Sequence, residues 1–151
     1  MARFVYRMQS ILNLKLQLEE AAKQRFSLAR IRLSAEQEKL DGLYARKDDY
    51  LREGIELRKD DLHVQDILDN KAAILRMDEY IAVQEEEVRK AEKDLEKERR
   101  ALQEVMTDRK AHEKLKERAF EQFQKEEAAA ESRMIDELTT YRYSLSREES
   151  S

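Results

Sequence analysis

The chain has 151 residues, 42% of them charged, with no proline, no cysteine and two glycines, Gly42 and Gly54. Sheets and compact multi-element folds need turn residues that are scarce here, and the lack of cysteine excludes a disulfide framework or a Cys-based metal site. A formal net charge of −4 argues against polyanion binding by the chain as a whole. What remains, rich in Ala, Glu, Lys, Leu and Arg, is the composition of long helices and coiled coils.

The first predicted element spans about residues 4–58. Leu12, Phe26, Leu33 and Leu40 fall seven or fourteen apart, and Ala22, Ala29, Leu43, Tyr50 and Leu57 take the second seam position. This is an a/d heptad pattern, interrupted by Lys15, Glu19, Glu36, Lys47 and Gly54. The opening stretch FVYRMQSILNLKLQLEE has basic residues and no acid before Glu19. Its Arg7, Gln9, Asn13 and Lys15 break the apolar region a secretory signal requires. No apolar run approaches the roughly 18 residues of a membrane span, so a soluble cytoplasmic chain without membrane insertion is expected.

A turn is predicted at about 59–66, where RKDDLHVQD loses the heptad phase, with Asp66 as the N-cap of the next helix. The second helix is predicted over about 67–145, followed by a short polar tail. Ile67, Ile74, Ile81, Val88, Leu95 and Leu102 are seven apart, with Met77, Ala91 and Val105 as partners. The strict series stops at Arg109 and Lys116, and a shifted one through Phe120, Phe123, Ala130, Met134, Leu138, Tyr141 and Leu145 is expected to follow.

The fold class that follows is all-α, a long two-helix antiparallel coiled-coil hairpin forming a single domain over 1–151. Its helices would span about 80 and 115 Å at 1.5 Å per residue. Folding the chain at residue 62 sets Phe26 opposite Glu98 and Phe4 near Phe120. It also brings the basic first segment to the level of Glu92, Glu96 and Glu98, complementary charge in neighbouring helices. Residues beyond about 121 lack a partner helix, yet they include Phe123, Met134, Ile135, Leu138, Tyr141 and Leu145. Such an exposed apolar face predicts a contact surface for another molecule. Near the other end, Ile74, Leu75, Met77, Tyr80 and Ile81 supply more apolar surface than one seam can bury, read either as a wider core or as a partner patch.

No catalytic constellation is legible. His63 and His112 lack a second histidine at ligand spacing, so no metal site is expected. The carboxylates lie on exposed helices without a pocket to desolvate them, so neither enzyme activity nor a cofactor is expected. The basic first segment with Phe4 and Tyr6 could touch phosphate, but the acids of 78–98 oppose it from the adjacent helix, and no nucleic acid partner is expected.

Three stretches resemble the FliJ family of flagellar export proteins. The opening segment matches at Phe4, Arg7, Met8, Gln9, Leu12 and Glu19; DEYIAVQEEEVRKAE from Asp78 resembles the family's early second helix, departing at Gln84 where many members have Leu; SRMIDELTTYRY resembles the terminal motif at Asp136 and Glu137. The resemblance implies a coiled-coil stalk of the flagellar type III export apparatus, similar to the central γ subunit of rotary ATPases. Its implied partners are the export ATPase hexamer, whose assembly and activity it promotes, the cytoplasmic domain of the membrane export gate, and export chaperones. Its implied place is the cytoplasmic side of the cell membrane at the flagellar base. ATPase-ring contacts are then expected at Arg3, Phe4, Arg7, Met8, Ile135, Leu138, Tyr141 and Arg142, and export-gate contacts at Ile74, Met77, Tyr80, Ile81 and Gln84. Alternatives are the stalk of a virulence type III secretion system, a self-associating coiled-coil scaffold, and a membrane-surface helix in residues 1–32.

Overall fold

A computed structural model describes residues 2–150. Two helices, α1 (Gln9–Leu57) and α2 (Val64–Glu149), form an antiparallel hairpin, with no strand among the described residues. Contacts divide the chain into a terminal unit, holding the residues up to Leu18 with those from Val105 onward, and a second unit of Glu19–Glu104.

The Glu19–Glu104 unit contains the turn. The last amides of α1 tighten into i→i−3 bonds, Arg58 N–H to the Ile55 carbonyl and Lys59 N–H to Glu56, each 3.2 Å. The Arg58 side chain also donates to the Gly54 carbonyl at 2.9 Å, satisfying an acceptor near the helix end. α2 begins at Val64, and His63 accepts the first helical bond from Ile67 N–H. His63 therefore holds the cap position expected for Asp66. Asp66 lies within the first turn, where its charge still complements the helix dipole.

The core of this unit is a narrow seam. Ala22, Ala29, Ala73, Met77, Ile81, Val88 and Ala91 are buried, whereas Phe26, Leu33, Leu40, Ile74 and Leu95 are half-buried. Small residues at Ala22, Ala29 and Ala91 leave room for the facing helix. The seam is also polar at intervals. Asn70, Gln84 and Glu98 stand fourteen residues apart on α2. Asn70 Nδ2 donates to the Tyr50 carbonyl at 2.8 Å. Gln84 Nε2 donates to the Glu36 carbonyl and carboxylate at 2.9 and 2.6 Å. Arg25 pairs with Glu98 at 3.5 Å. Lys47–Asp78 at 2.6 Å and Arg32–Asp94 at 3.9 Å flank the seam. The expected charge-complementary flank is thus formed at Glu98 and Asp94, while Glu96 turns along its own helix to Arg99 and Arg100.

In the terminal unit, α1 starts at Gln9, five residues later than the periodicity suggests. Residues 2–8 form a non-helical strap that lays the Phe4 ring edge-on against Phe120, with centroids 5.1 Å apart, and beside Phe123 at 5.4 Å. Leu12 is buried, and Lys15 reaches Asp108 at 2.7 Å. Along α2 the half-buried positions continue in sevens from Leu102 through Arg109 and Lys116 to Phe123. The strict series therefore does not fail at Arg109, because long basic side chains cover the seam with their aliphatic stems. The phase shifts later, at Phe123 and Glu127, and residues 128–150 are all exposed.

Candidate functional site

The strap is flanked by grooves. On one side of Phe4 a groove of about 450 Å³ is lined by Gln9, Leu12, Leu16, Lys116 and Phe120 among others. On the other, a groove of about 400 Å³ runs past Arg7, Met8, Gln122 and Phe123. Arg3 borders a third with Lys116. The Lys15 ammonium, hydrogen-bonded to Asp108, holds that carboxyl below its ordinary pKa, and the His112 ring lies 3.7 Å away.

Beyond the strap, α2 runs on alone. Met134, Leu138, Tyr141 and Leu145 form one stripe of the overhang, 64%, 54%, 62% and 41% exposed. Ile135 and Arg142 lie beside it, both exposed. The expected ring-contact residues therefore fall into two groups. Arg3, Phe4, Arg7 and Met8 sit on the strap, with Phe4 half-buried in the aromatic cluster and the other three exposed. Leu138 lies about 22 Å further along α2 than Phe123 at 1.5 Å per residue, so the structure does not bring Arg3 or Arg7 to Arg142.

The expected gate-contact residues, in the Glu19–Glu104 unit, also separate. Met77 and Ile81 are 4% and 6% exposed; both side chains are already committed to the seam and offer no surface. Ile74 and Gln84 are half-buried, and the Gln84 amide is occupied by Glu36. Tyr80 remains exposed, as do Leu75 and Val83 near it in sequence. The Gln84 hydrogen bond lowers the Glu36 pKa, and Tyr44, hydrogen-bonded to Glu85, has its pKa raised.

One surface escaped the sequence reading. Ile11, Leu14 and Leu18 are 39%, 51% and 44% exposed, a second apolar stripe on α1 outside the seam. Its spacing of three and four was a readable signal, masked by assigning the segment's apolar residues to one seam. Among the described residues no cluster of His, Cys, Asp or Glu could hold a metal, and no helix is long and apolar enough to cross a membrane.

The sequence profile of the family described as flagellar FliJ protein matches residues 4–148. The chain belongs to the FliJ family. Membership covers the strap, both helices and the overhang together. A solved structure similar to this FliJ-family chain is that of a putative YscO homolog, CT670, from Chlamydia trachomatis, 25% identical with a TM-score of 0.62, covering 98% of this chain and 99% of that one. No curated protein sequence gives a significant match.

Proposed function

We propose that the chain is the stalk of a flagellar type III export apparatus, binding the export ATPase ring, promoting its assembly and activity, and linking it to the membrane export gate while escorting export chaperones. The observation that carries this reading is the exposed stripe of Met134, Leu138, Tyr141 and Leu145, a seam without a partner helix in a FliJ-family chain. A stalk of this kind acts by contacting ring subunits unequally and so favouring some nucleotide states over others; its effect equals its differential affinity for those states. The overhang supplies the apolar contact and Arg3, Arg7 and Arg142 the flanking charge. Tyr80 is the exposed member of the gate-contact set.

Turnover and hexamer assembly of the cognate export ATPase, measured with and without the chain, test the reading. Stimulation is expected, and Leu138→Glu should abolish most of it. Charge reversal at Arg3, Arg7 and Arg142 that left stimulation intact would remove the charged contacts from the proposal. The likeness to a putative YscO homolog favours one second reading, the equivalent stalk of a virulence secretion system; the genes flanking the coding sequence discriminate the two.

A further inference from the structure

The apolar stripe of the overhang continues a face that the chain already uses. At about 100° per residue, Met134, Leu138, Tyr141 and Leu145 fall within about 60° of arc, together with Phe123 and Glu127. Those two are the last half-buried positions of α2, on the face that α1 and its strap cover. The steps of four, three and four along the stripe are those of an a/d seam. Past Glu127 the helix thus presents two heptads of coiled-coil face with no chain against it.

We propose that this face is covered by the same face of a second copy, lying antiparallel, in a reversible dimer. Direction is the first argument. α1 runs antiparallel to α2 where it covers this face, and an antiparallel newcomer continues the same packing. A parallel copy would carry its own strap into the first copy's strap about 16 Å below Met134 at 1.5 Å per residue.

Self-complementarity is the second. The stripe from Met134 to Leu145 is centred between Thr139 and Thr140, so it reads alike in both directions. Overlapping two such overhangs antiparallel opposes Met134 to the partner's Leu145 and Leu138 to the partner's Tyr141, with both layers repeated by the two-fold axis. Ile135 falls beside the partner's Arg142, whose stem can cover it, and Glu137 beside the partner's Ser144. Glu131 and Glu148 would face each other at the ends, so the contact is bounded there. An isologous contact of this kind closes at two copies.

One consequence rests on the stalk reading. If the stripe also contacts the ATPase ring, dimer and ring compete for it, and the free chain is stored with its docking face masked.

Sedimentation equilibrium of the full chain alone, from low micromolar to hundreds of micromolar, tests the dimer. The expected result is a concentration-dependent rise from the monomer mass of 18.0 kDa towards twice that value. Leu138→Glu should weaken association at least about tenfold, ~1.4 kcal/mol, with the helical circular dichroism unchanged because the site lies outside the hairpin core. A monomer at every concentration, or a dimer indifferent to Leu138→Glu, overturns the proposal. Because the chain has no cysteine, orientation is readable by oxidation. A mixture of Leu138→Cys and Tyr141→Cys chains should form the mixed disulfide in preference to either self-linked product. Dominant self-linking of Leu138→Cys would mean a parallel dimer and would also overturn it. No ATPase is present in these measurements, so their failure leaves the ring contact standing. Conversely, a dimer that forms here while the chain fails to stimulate the ATPase would refute the stalk reading alone.

Discussion

The seam of the Glu19–Glu104 unit and the bare stripe of the overhang invert the usual expectation about burial. The covered seam contains Asn70, Gln84 and Glu98 at regular intervals, with Asn70 only 5% exposed. The uncovered stripe from Met134 to Leu145 contains no polar residue at its four seam positions. Ordinary solubility would favour the opposite distribution, polar residues where water reaches and apolar ones where it does not. The difference teaches that the two faces meet different demands. A seam that is permanently closed can spend hydrogen bonds on specificity, whereas a face that must recruit a partner needs apolar area to remove from water.

The sharpest way to break that contrast is to truncate one side chain from each face. Met77→Ala should cost about 2–3 kcal/mol in chemical denaturation, the low end for a large-to-small change because the two-helix seam collapses easily. Leu138→Ala should change the unfolding free energy by less than about 0.5 kcal/mol, measured at concentrations where the chain is monomeric. Comparable losses at the two positions would mean that the overhang is covered within the monomer.

The two glycines sharpen it further. A methyl at Gly54 would lie 2.6 Å from the buried Asn70 Oδ1 and 3.0 Å from Arg58 Nη1, whereas one at Gly42 would meet nothing within 4 Å. Asn70 Oδ1 has no hydrogen-bond partner, so a close approach by glycine is what seats this amide against Tyr50. Gly54→Ala should therefore destabilise by about 1–2 kcal/mol despite its better helix propensity, and Gly42→Ala should stabilise by about 0.5–1 kcal/mol. Adding Asn70→Ala to Gly54→Ala should recover most of the loss; no recovery would assign the clash to Arg58.

The strap gives a smaller effect. Phe4→Ala removes the ring from Phe120 and Phe123, contacts worth about 0.5–1.5 kcal/mol beyond their area. Amide hydrogen exchange should quicken in the first turns of α1 and leave Glu19–Glu104 unchanged. The smallest effect is electrostatic. The folded-state pKa of Asp108 is lowered by Lys15 from 3.8, so its contribution is present above the unfolded value and is lost as pH falls through the lowered folded one. Asp108→Asn should flatten stability against pH below about 4 and leave the rest of the profile parallel.

Much of this fold was legible in the heptads. The alternation of Ile67, Ile74, Ile81 and Val88 defines α2, and a fold about residue 62 predicts both the Phe4–Phe120 contact and the level of Arg25 with Glu98. The strap was not legible, because Phe4 fits a helical spacing that its surroundings do not honour. Val5 and Tyr6 are weak helix formers, and the first turn of α1 has no acidic residue to complement the dipole further upstream. Arg109 and Lys116 were misread for the opposite reason: a hydropathy pattern counts their charge and not their stems. In the tip patch, Met77 and Ile81 already belonged to the seam series, so they could not also be surface; Tyr80 was the separable member. The overhang was visible because a long helix cannot outrun its partner without leaving its face bare.

The fourteen-residue interval of Asn70, Gln84 and Glu98 has a mechanical consequence. Sliding α2 past α1 by one heptad would carry Asn70 away from the Tyr50 carbonyl, Gln84 away from Glu36 and Glu98 away from Arg25, a cost that adds with every layer. A slip of two heptads, about 21 Å at 1.5 Å per residue, would in addition require the turn to unwind. Within Glu19–Glu104 the paired helices are therefore keyed like a notched shaft. An axial load on one is carried by the other rather than lost to creep between them.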